Sequence, residues 1–326
     1  MTQQKGLIVK GKYNGSRLDQ YLVQAPFVWP KGKPGRVAIQ ELITLGAIRV
    51  NGNKVRPGYR VKPGETVTLE ALEKKKSVRR PPLPPIPVLF EDDSLIVIDK
   101  PAGLSMHPVR KGQKGTLVDW ILKKYPTLKE IGDDPLRPGI VHRLDKESSG
   151  IIVLTKTQDA FLALKSLFQG RKVKKEYAAL VYGVTREKKG LIELPLGRVR
   201  GGIRRGTPVR KRSFAGEMRP AETEYKLLTA YSQHSLLSLK PKTGRTHQIR
   251  VHLASIGNPV VGDLLYRFKI HRKDILSPPH QLLHAKKLSF TLLKGKYAFE
   301  SELPDYFQRA IQTLDEKKEN GYDGKA

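Results

Sequence analysis

The stretch "RPGIVHRLDKESSGIIVLTKT", residues 137–157, sets a cluster of polar and ionisable residues between two apolar runs. The run that begins at Ile151 predicts a buried strand, and Pro138-Gly139 predicts a turn before the first run. Asp145 therefore lies in a loop held by apolar segments on both sides, where a side chain can be positioned rigidly in a cleft. The neighbouring Arg143 favours the charged form of that carboxylate. Taken alone, the cluster still fits a charged surface turn better than a catalytic site.

The charge of the whole chain indicates what it binds. Its 61 Lys and Arg against 31 Asp and Glu give a net charge of +30 over 326 residues. Such an excess concentrates polyanions at the surface, and the abundant intracellular polyanion is nucleic acid. The alternative is a basic protein that is merely kept soluble by its charge. We find no basic amphipathic helix and no apolar run of about 18 residues, so we expect no membrane association.

The sequence also bears on redox chemistry, cofactors and compartment. It contains no cysteine, which excludes a disulfide framework, a thiolate metal site and a catalytic thiol. His247 and His252 are five residues apart rather than the four that place two ligands on one helix face, and no dinucleotide fingerprint is present. We therefore expect neither a metal nor a cofactor. Because the first residues lack the apolar core of a signal peptide, we expect a cytoplasmic protein.

A basic, proline-rich segment divides the chain. Residues 73–87, "EKKKSVRRPPLPPIP", have little to bury and favour an extended linker. Residues 1–72 predict two helices, of which the second ends at Gly46, then a hairpin that turns at Asn51-Gly52 and a short strand. This pattern resembles the S-four-type RNA-binding domain, a small α/β unit. Its candidate RNA-binding residues are Arg36, Arg49, Lys54, Arg56 and Arg60.

Residues 88–310 predict strands and helices that are interspersed without regular alternation. Thr116 and Thr157 have the character of helix N-caps, and Gly170 ends the helix that begins after Thr157. The irregular order favours an α+β fold with a mixed sheet over a barrel of repeated βα units. Residues 311–326 are expected to form a charged C-terminal tail.

Two further segments place functional side chains next to predicted secondary structure. In "KPKTGRTHQIRVHLASIGNPVVGD", residues 240–263, Arg245 lies in or beside the first turn of a helix. The helix dipole disfavours a cation there, which hints at an anionic partner elsewhere. In "KKEYAALVYG", residues 174–183, Tyr177 begins a strand. Tyr177 is either a core aromatic or a platform on which a base stacks.

The segment "RVRGGIRRGTPVRKR", residues 198–212, is the most basic part of the chain. It holds three glycines and no acid. It is either a solvated disordered loop or a flexible arm that becomes ordered on contact with phosphate, and we favour the arm. Its candidate RNA-binding residues are Arg198, Arg200, Arg204, Arg205, Arg210, Lys211 and Arg212.

Several of these segments together resemble one family. The motifs "HRLDKESSG", "KKEYAALVYG" and "GRTHQIRVHLASIGNPVVGD", with "VLFEDDSLIVIDKPAGLSMHP" upstream and "LLHAKKLSF" downstream, are similar to those of the RluA-type RNA pseudouridine synthases and occur in the same order. The resemblance covers about residues 88–310, and the S-four-type unit in front fits the branch that modifies large-subunit ribosomal RNA. It implies a monomer with a mixed, mainly antiparallel central sheet flanked by helices. Glu147-Ser148 is a small departure, since many relatives have Asp-Thr there.

The resemblance also implies roles for individual residues. Asp145 would be the catalytic residue, acting either as a nucleophile on the anomeric carbon or as a base that removes a ribose proton. Arg245 would pair with Asp145, and Tyr177 would stack on the target uracil. Arg143 would hold a phosphate or fill the space that the target leaves, and His142 would fix the loop by a hydrogen bond. The isomerisation adds and removes no atom, so it requires no cofactor or metal.

Other functions remain open on these observations. A synthase that acts on transfer RNA, and a non-catalytic RNA-binding or ribosome-assembly factor on the same fold, share the charge and the domain arrangement. The presence of Asp145, Tyr177 and Arg245 favours an enzyme. A metal-dependent nuclease would need clustered acids, which the polar loops do not supply.

Overall fold

The computed structural model describes residues 6–319 except positions 28, 30, 31, 33, 70–82, 84, 109–112, 201–203, 209–212, 274 and 293–294. Most of the predicted linker and the predicted RNA contacts Arg210, Lys211 and Arg212 fall outside these residues. The chain forms two compact units, Met1–Pro81 and Pro82–Ala326. Within the described ranges, no helix is long and apolar enough to cross a membrane.

The first unit packs two helices on a small antiparallel sheet with the strand order β1-β4-β2-β3. Its elements are β1 (Leu7–Ile8), α1 (Leu18–Gln24), α2 (Arg36–Leu45), β2 (Ile48–Val50), β3 (Asn53–Lys54) and β4 (Thr66–Leu69). The predicted helix end at Gly46 and the hairpin turn at Asn51-Gly52 are confirmed, and all three residues have positive φ angles. Leu22 and Ile39 are among the buried side chains that join the helices to the sheet.

The second unit is built around one large sheet with the strand order β5-β6-β7-β15-β8-β14-β13-β9, with β16 next to β15. Its strands and helices are β5 (Val88–Glu91), β6 (Leu95–Lys100), α3 (Leu117–Lys124), β7 (Ser149–Thr155), α4 (Gln158–Gln169), β8 (Lys174–Tyr182), β9 (Lys189–Glu193), β10 (Leu196–Val199), β11 (Arg205–Gly206), β12 (Phe214–Arg219), β13 (Glu222–Ala230), β14 (His234–Pro241), α5 (Gln248–Ser255), β15 (Leu283–Leu292), β16 (Gly295–Glu300) and α6 (Asp305–Glu319). Among these strands, neighbours in the large sheet are antiparallel except β7 and β15. The expected mixed, mainly antiparallel sheet is thus confirmed.

The parallel contact between β7 and β15 is short, and it opens a place for a loop. Only Ser149 and Gly150 of β7 pair with β15, which from Lys287 onward pairs with β16 instead. Gly150 has a φ angle of +112°, and a Cβ there would lie 2.4 Å from the carbonyl oxygen of Ala285, so only glycine permits this approach. Beyond Gly150, the edge of β7 that faces away from β6 receives the preceding loop, through a bridge between Ile140 and Leu154.

Helices α3 and α4 pack on the sheet and begin where the sequence predicts. Thr116 caps α3 in a capping box with Asp119, and the Thr157 hydroxyl accepts a hydrogen bond from the backbone of α4. Ile121 of α3 and Leu164 of α4 are fully buried in the clusters on the sheet. In contrast, α5 has no exposed face, because Gln248 to Ala254 are all buried.

The basic segment at residues 198–212 is not a flexible arm where the structure describes it. Strands β10, β11 and β12 form a separate antiparallel sheet in the order β11-β10-β12, with Arg198 opposite Arg205. A Cβ at Gly197 would lie 2.8 Å from the Phe214 ring, and Gly206 also packs on that ring. Gly206, one of the glycines that indicated flexibility, therefore serves close packing, and the prediction of an arm is wrong for the described residues.

The predicted tail at residues 311–326 also needs correction. Helix α6 runs without interruption through residue 310 to Glu319, and Leu314 is buried with Phe307. The Tyr231 hydroxyl donates a hydrogen bond of 2.9 Å to Asp315. Residues 311–319 thus belong to the folded second unit, because one apolar face of the helix continues beyond the predicted boundary.

Candidate active site

The loop that carries Asp145 is fixed to the edge of β7 by His142. The Nε2 atom of His142 accepts a hydrogen bond of 3.0 Å from the backbone N–H of Val153, and its ring stacks on Phe168 with 4.6 Å between the centroids. Burial lowers the pKa of His142 to about 3, so the imidazole is neutral at pH 7, as an acceptor must be. His142 therefore makes the loop-fixing hydrogen bond that the sequence led us to expect.

Lys100 holds the other side of this loop. Its side chain is fully buried, and its ammonium donates to the carbonyl oxygens of Pro101 at 2.8 Å, Leu104 at 3.1 Å and Lys146 at 3.3 Å. The Lys146 carbonyl also accepts from the backbone N–H of Gly103. Burial lowers the pKa of Lys100 to about 7. The backbone directly after Asp145 is thus anchored to the end of β6, a contact that no local sequence signal indicates.

A third set of contacts joins the loop to the start of β15. Gln281 donates a hydrogen bond of 2.7 Å to the Ser148 hydroxyl, and the Glu147 carboxylate lies 2.7 Å from Nδ1 of His280. Contacts from β7, β6 and β15 therefore position Asp145 from three directions, as a reacting carboxylate requires.

Asp145 forms a buried ion pair with Arg250 of α5. The Arg250 Nη1 donates to the Asp145 carboxylate at 2.8 Å, while its Nε and Nη2 donate to both oxygens of Asp263 at 2.7 and 2.9 Å. The side chains of Arg250, Asp145 and Asp263 are 8%, 16% and 0% exposed. Burial by itself lowers the pKa of Arg250, but the hydrogen bond and charge of Asp263, with the charge of Asp145, raise it above its ordinary value. The guanidinium is thus a permanent positive charge beside Asp145.

The expected pairing of Arg245 with Asp145 is wrong. Helix α5 begins at Gln248, so Arg245 lies in the loop before it, exposed, with its Nε 3.5 Å from the carbonyl oxygen of Pro220. Arg250 takes the expected place, because the helix carries it inward to the Asp145 loop. The available signal was an arginine set between Ile249 and Val251, since a charge among apolar residues needs a partner.

The predicted site residues line one cleft of about 520 Å³, a size suited to a small molecule or a single nucleotide. Arg143, Asp145, Tyr177 and Arg245 all contribute to its walls. Burial and the charge of Asp145 raise the pKa of the Tyr177 phenol, which keeps it neutral. Among the described lining residues, Asp145 is the one acid, whereas the cations besides Arg250 are Arg143, Arg171, Lys175, Lys242 and Arg245. The excess of positive charge therefore attracts an anionic ligand into the cleft, where Asp145 is the one described carboxylate.

Other arrangements of ligands are not found near this cleft. Within the described ranges, no group of three or more His, Asp or Glu side chains could hold a metal ion.

A second, smaller pocket is lined by Arg204, Arg205 and Arg267 together with Tyr266. Tyr266 connects the two regions, since its hydroxyl lies 2.8 Å from both His247 Nδ1 and the Arg205 backbone nitrogen.

The predicted RNA contacts differ in how much side chain they leave exposed. Arg36 donates a hydrogen bond to the buried carboxylate of Asp19, which also accepts from Arg17 and Gln40. The side chain of Arg36 nevertheless stays 46% exposed. Arg205 is partly buried. Arg49 is partly exposed. The other described residues of the prediction are exposed: Lys54, Arg56, Arg60, Arg198, Arg200 and Arg204. Their exposure makes these side chains accessible to phosphates.

Comparisons with known proteins agree with this geometry. Residues 94–255 match the family model "RNA pseudouridylate synthase", and residues 16–67 match the model "S4 domain". An uncharacterized RNA pseudouridine synthase of Aquifex aeolicus is 39% identical over 311 residues, which cover 92% of this chain and 94% of that protein. The ribosomal large subunit pseudouridine synthase D of Nitrosomonas europaea is 35% identical and covers 94% and 87%, and that of Pseudomonas aeruginosa is 33% identical and covers 97% of both chains.

Solved structures give the same result for the fold. Human RNA pseudouridylate synthase domain containing 4 is 26% identical with a TM-score of 0.54, covering 70% of this chain and 92% of that chain. Human RNA pseudouridylate synthase domain containing 1 reaches a TM-score of 0.56 at 23% identity, covering 71% and 95%. Sequence relatives, fold and motif order agree, and the chain belongs to the RluA-type RNA pseudouridine synthases that carry an N-terminal S4 domain.

Proposed function

We propose that Asp145 is the catalytic residue and that the enzyme isomerises uridines of large-subunit ribosomal RNA. The observation that carries this proposal is the ion pair of Asp145 with Arg250 in a cleft that holds no other described acid. The relatives named for the ribosomal large subunit align over nearly the whole chain, including the S4 domain, and support the choice of substrate.

The reaction requires one well-placed carboxylate. The bond between C1′ of the ribose and N1 of uracil breaks, the base turns, C1′ bonds to C5, and the proton on C5 is released. Asp145 either adds to C1′ or removes a proton from the ribose, and both routes use its carboxylate, which Arg250 pairs with and orients. Its geometry is compatible with either route.

Residues around Asp145 receive the target nucleotide. Tyr177 offers an aromatic ring in the wall of the cleft, suited to stacking on uracil. The target must leave its helical stack at a cost of a few kcal/mol. Arg143 and Arg245, both exposed at the cleft, would offset part of that cost by contacting phosphates. Exposed basic residues of the S4 domain and of the sheet β10–β12 would hold neighbouring RNA.

The same proposal includes the setting of the reaction. We propose that the enzyme acts as a monomer in the cytoplasm. We also propose that it needs no metal or cofactor, because the reaction neither adds nor removes atoms. Activity that persists after exhaustive treatment with a metal chelator, in fractions of monomeric mass, would support this part. Dependence on an added metal would contradict it.

The experiment uses RNA in which uridine carries tritium at C5, because this hydrogen leaves for water when C5 becomes the bonded carbon. Unmodified transcripts of large-subunit ribosomal RNA and of transfer RNAs are incubated separately with the wild-type enzyme and with Asp145→Asn. We expect tritium release from the ribosomal transcript with the wild type alone, while both proteins bind that RNA. Release by Asp145→Asn would refute the catalytic role, and release from transfer RNA alone would refute the substrate.

A further inference from the structure

One cation in the cleft, Lys175, has no partner among the described residues. It lies on β8 and is partly buried, and burial lowers its pKa. Within the part of the chain that the structure describes, no residue makes a hydrogen bond or ion pair with its ammonium. Its Nζ lies beside Gly244, 3.8 Å from the position that a Cβ there would take. Removing a charge from water without a partner is unfavourable, so an anionic group that bonds to this ammonium would be favoured.

The position of Lys175 distinguishes it from other cations of the cleft. Arg143, Arg171 and Arg245 are exposed at its rim, where the phosphates of an RNA chain remain in contact with water. Lys175 lies deeper, two residues before Tyr177 on the same strand. Side chains two apart point to the same face, about 7 Å from each other. A base that stacks on Tyr177 would thus present an edge to Lys175.

The strand neighbours of Lys175 face the other way. Glu176 accepts a hydrogen bond from Ser238 and lies 3.7 Å from Lys240, so it does not neutralise Lys175. Lys174 is exposed and shares the outward face with Glu176. The alternation along β8 therefore directs the unpaired ammonium of Lys175 into the cleft.

The reaction generates an anion where this ammonium points. When the C1′–N1 bond breaks, its electron pair stays with the uracil, and the negative charge spreads from N1 to the oxygens O2 and O4. We infer, on the basis of the proposed function, that the Lys175 ammonium stabilises this negative charge by bonding to a carbonyl oxygen of the departing uracil. The ammonium has three donors, so it can follow the base as it turns before C5 bonds to C1′.

The test compares Lys175→Met and Lys175→Arg with the control Lys174→Met, which removes the same charge from the outward face. Rates are measured in single turnovers with excess enzyme on the tritiated ribosomal transcript, and Kd is measured on the same RNA. We expect Lys175→Met to slow isomerisation about 100-fold to 1,000-fold, as removal of a donor to a developing oxyanion does, with Kd unchanged. Lys175→Arg should recover most of the rate, and Lys174→Met should match the wild type.

Two results would overturn the inference. A wild-type rate in Lys175→Met would show that the uracil does not need this cation, and an unchanged rate with a raised Kd and a smaller salt dependence would assign Lys175 to a phosphate. If Lys175→Met does not fold, Lys175→Gln replaces it. We then expect Lys175→Gln to react more slowly than the wild type, and a wild-type rate in this variant would overturn the inference. Activity in Asp145→Asn would refute the proposed function itself, whereas an inactive Asp145→Asn beside a fully active Lys175→Met would refute this inference alone.

Discussion

The guanidinium of Arg250 serves two carboxylates with different surroundings. Asp263 is fully buried and takes two of its nitrogens, while Asp145 takes one and keeps part of its surface open to the cleft. Asp263 thus orients Arg250, which in turn orients Asp145. This arrangement orients the Asp145 carboxylate and leaves one of its oxygens available to react.

Removing Arg250 should affect both stability and chemistry. Arg250→Met leaves Asp145 and Asp263 without their partner, so we expect the free energy of unfolding to fall by about 3–5 kcal/mol and isomerisation to be abolished. Arg245→Met is the matched control, because Arg245 lines the same cleft but is exposed. Urea denaturation and single-turnover rates measure the two effects. Equal losses in both variants would contradict the assignment of Arg250 as the partner of Asp145.

His142 should make stability depend on acid. Its pKa of about 3 in the folded protein lies below the ordinary value of 6.5. Between pH 6.5 and 3 the unfolded chain binds a proton that the folded protein excludes, so stability falls as the pH falls, by up to about 1.4 kcal/mol per pH unit. His142→Gln should reduce the slope of unfolding free energy against pH across this window. A slope equal to that of the wild type would show that His142 is not buried in its neutral form.

At the scale of elements, the separation of β7 from β15 creates the site. Gly150 lets the two strands touch at one point, and from there the loop with Asp145 replaces a strand neighbour along β7. Because β7 pairs with β15 only at Ser149 and Gly150, the rest of that edge is open to the loop. The polar cluster at residues 142–147 can therefore lie beside a fully buried strand. The loop has both a fixed edge beneath it and an open cleft above it.

Substitution of Gly150 should lower stability far more than substitution of another glycine that has a similar positive φ angle. Gly257 also has a positive φ angle, +97°, but no atom lies within 4 Å of its potential Cβ. Gly257→Ala should therefore cost about 1–2 kcal/mol, the strain of a left-handed residue alone. Gly150→Ala must also displace the Ala285 backbone, so we expect a larger decrease in thermal stability and in activity. Equal decreases in the two variants would contradict the close approach of β7 and β15.

Local signals predicted most elements, and long-range contacts were the part that the sequence did not reveal. The caps at Thr116 and Thr157 and the turn at Asn51-Gly52 act within a few residues, so pattern alone located them. Asp145 and Arg250 are 105 residues apart, and no periodicity indicates which arginine crosses that distance. The same limit hid Lys100, whose position at a strand end gives no sign of the carbonyls that surround it.

At the scale of the whole molecule, the net charge of +30 is distributed over both units rather than confined to the cleft. The cleft admits one nucleotide, so most of the affinity for RNA should come from phosphates that meet exposed basic residues elsewhere. The S4 domain supplies such residues on α2, the hairpin β2–β3 and the segment that follows it.

Neutralising the S4 domain should weaken binding in a salt-dependent manner. The triple variant Arg49→Gln, Lys54→Gln and Arg56→Gln should lower the slope of log Kd against log salt concentration by about 0.7–0.9 for each phosphate that the domain no longer neutralises. The control removes three exposed charges from α6 through Arg309→Gln, Lys317→Gln and Lys318→Gln. Binding titrations at several salt concentrations measure both. An equal change in the two variants would assign the effect to net charge rather than to the S4 domain.

The most direct test of the account is a position-resolved map of pseudouridine in total RNA. Cells that lack this protein are complemented either with the wild type or with Asp145→Asn at matched expression. We predict that one or more uridines of large-subunit ribosomal RNA are modified with the wild type and unmodified with Asp145→Asn. Identical maps in the two strains would contradict the account, because they would show that the carboxylate of Asp145 does not carry the reaction.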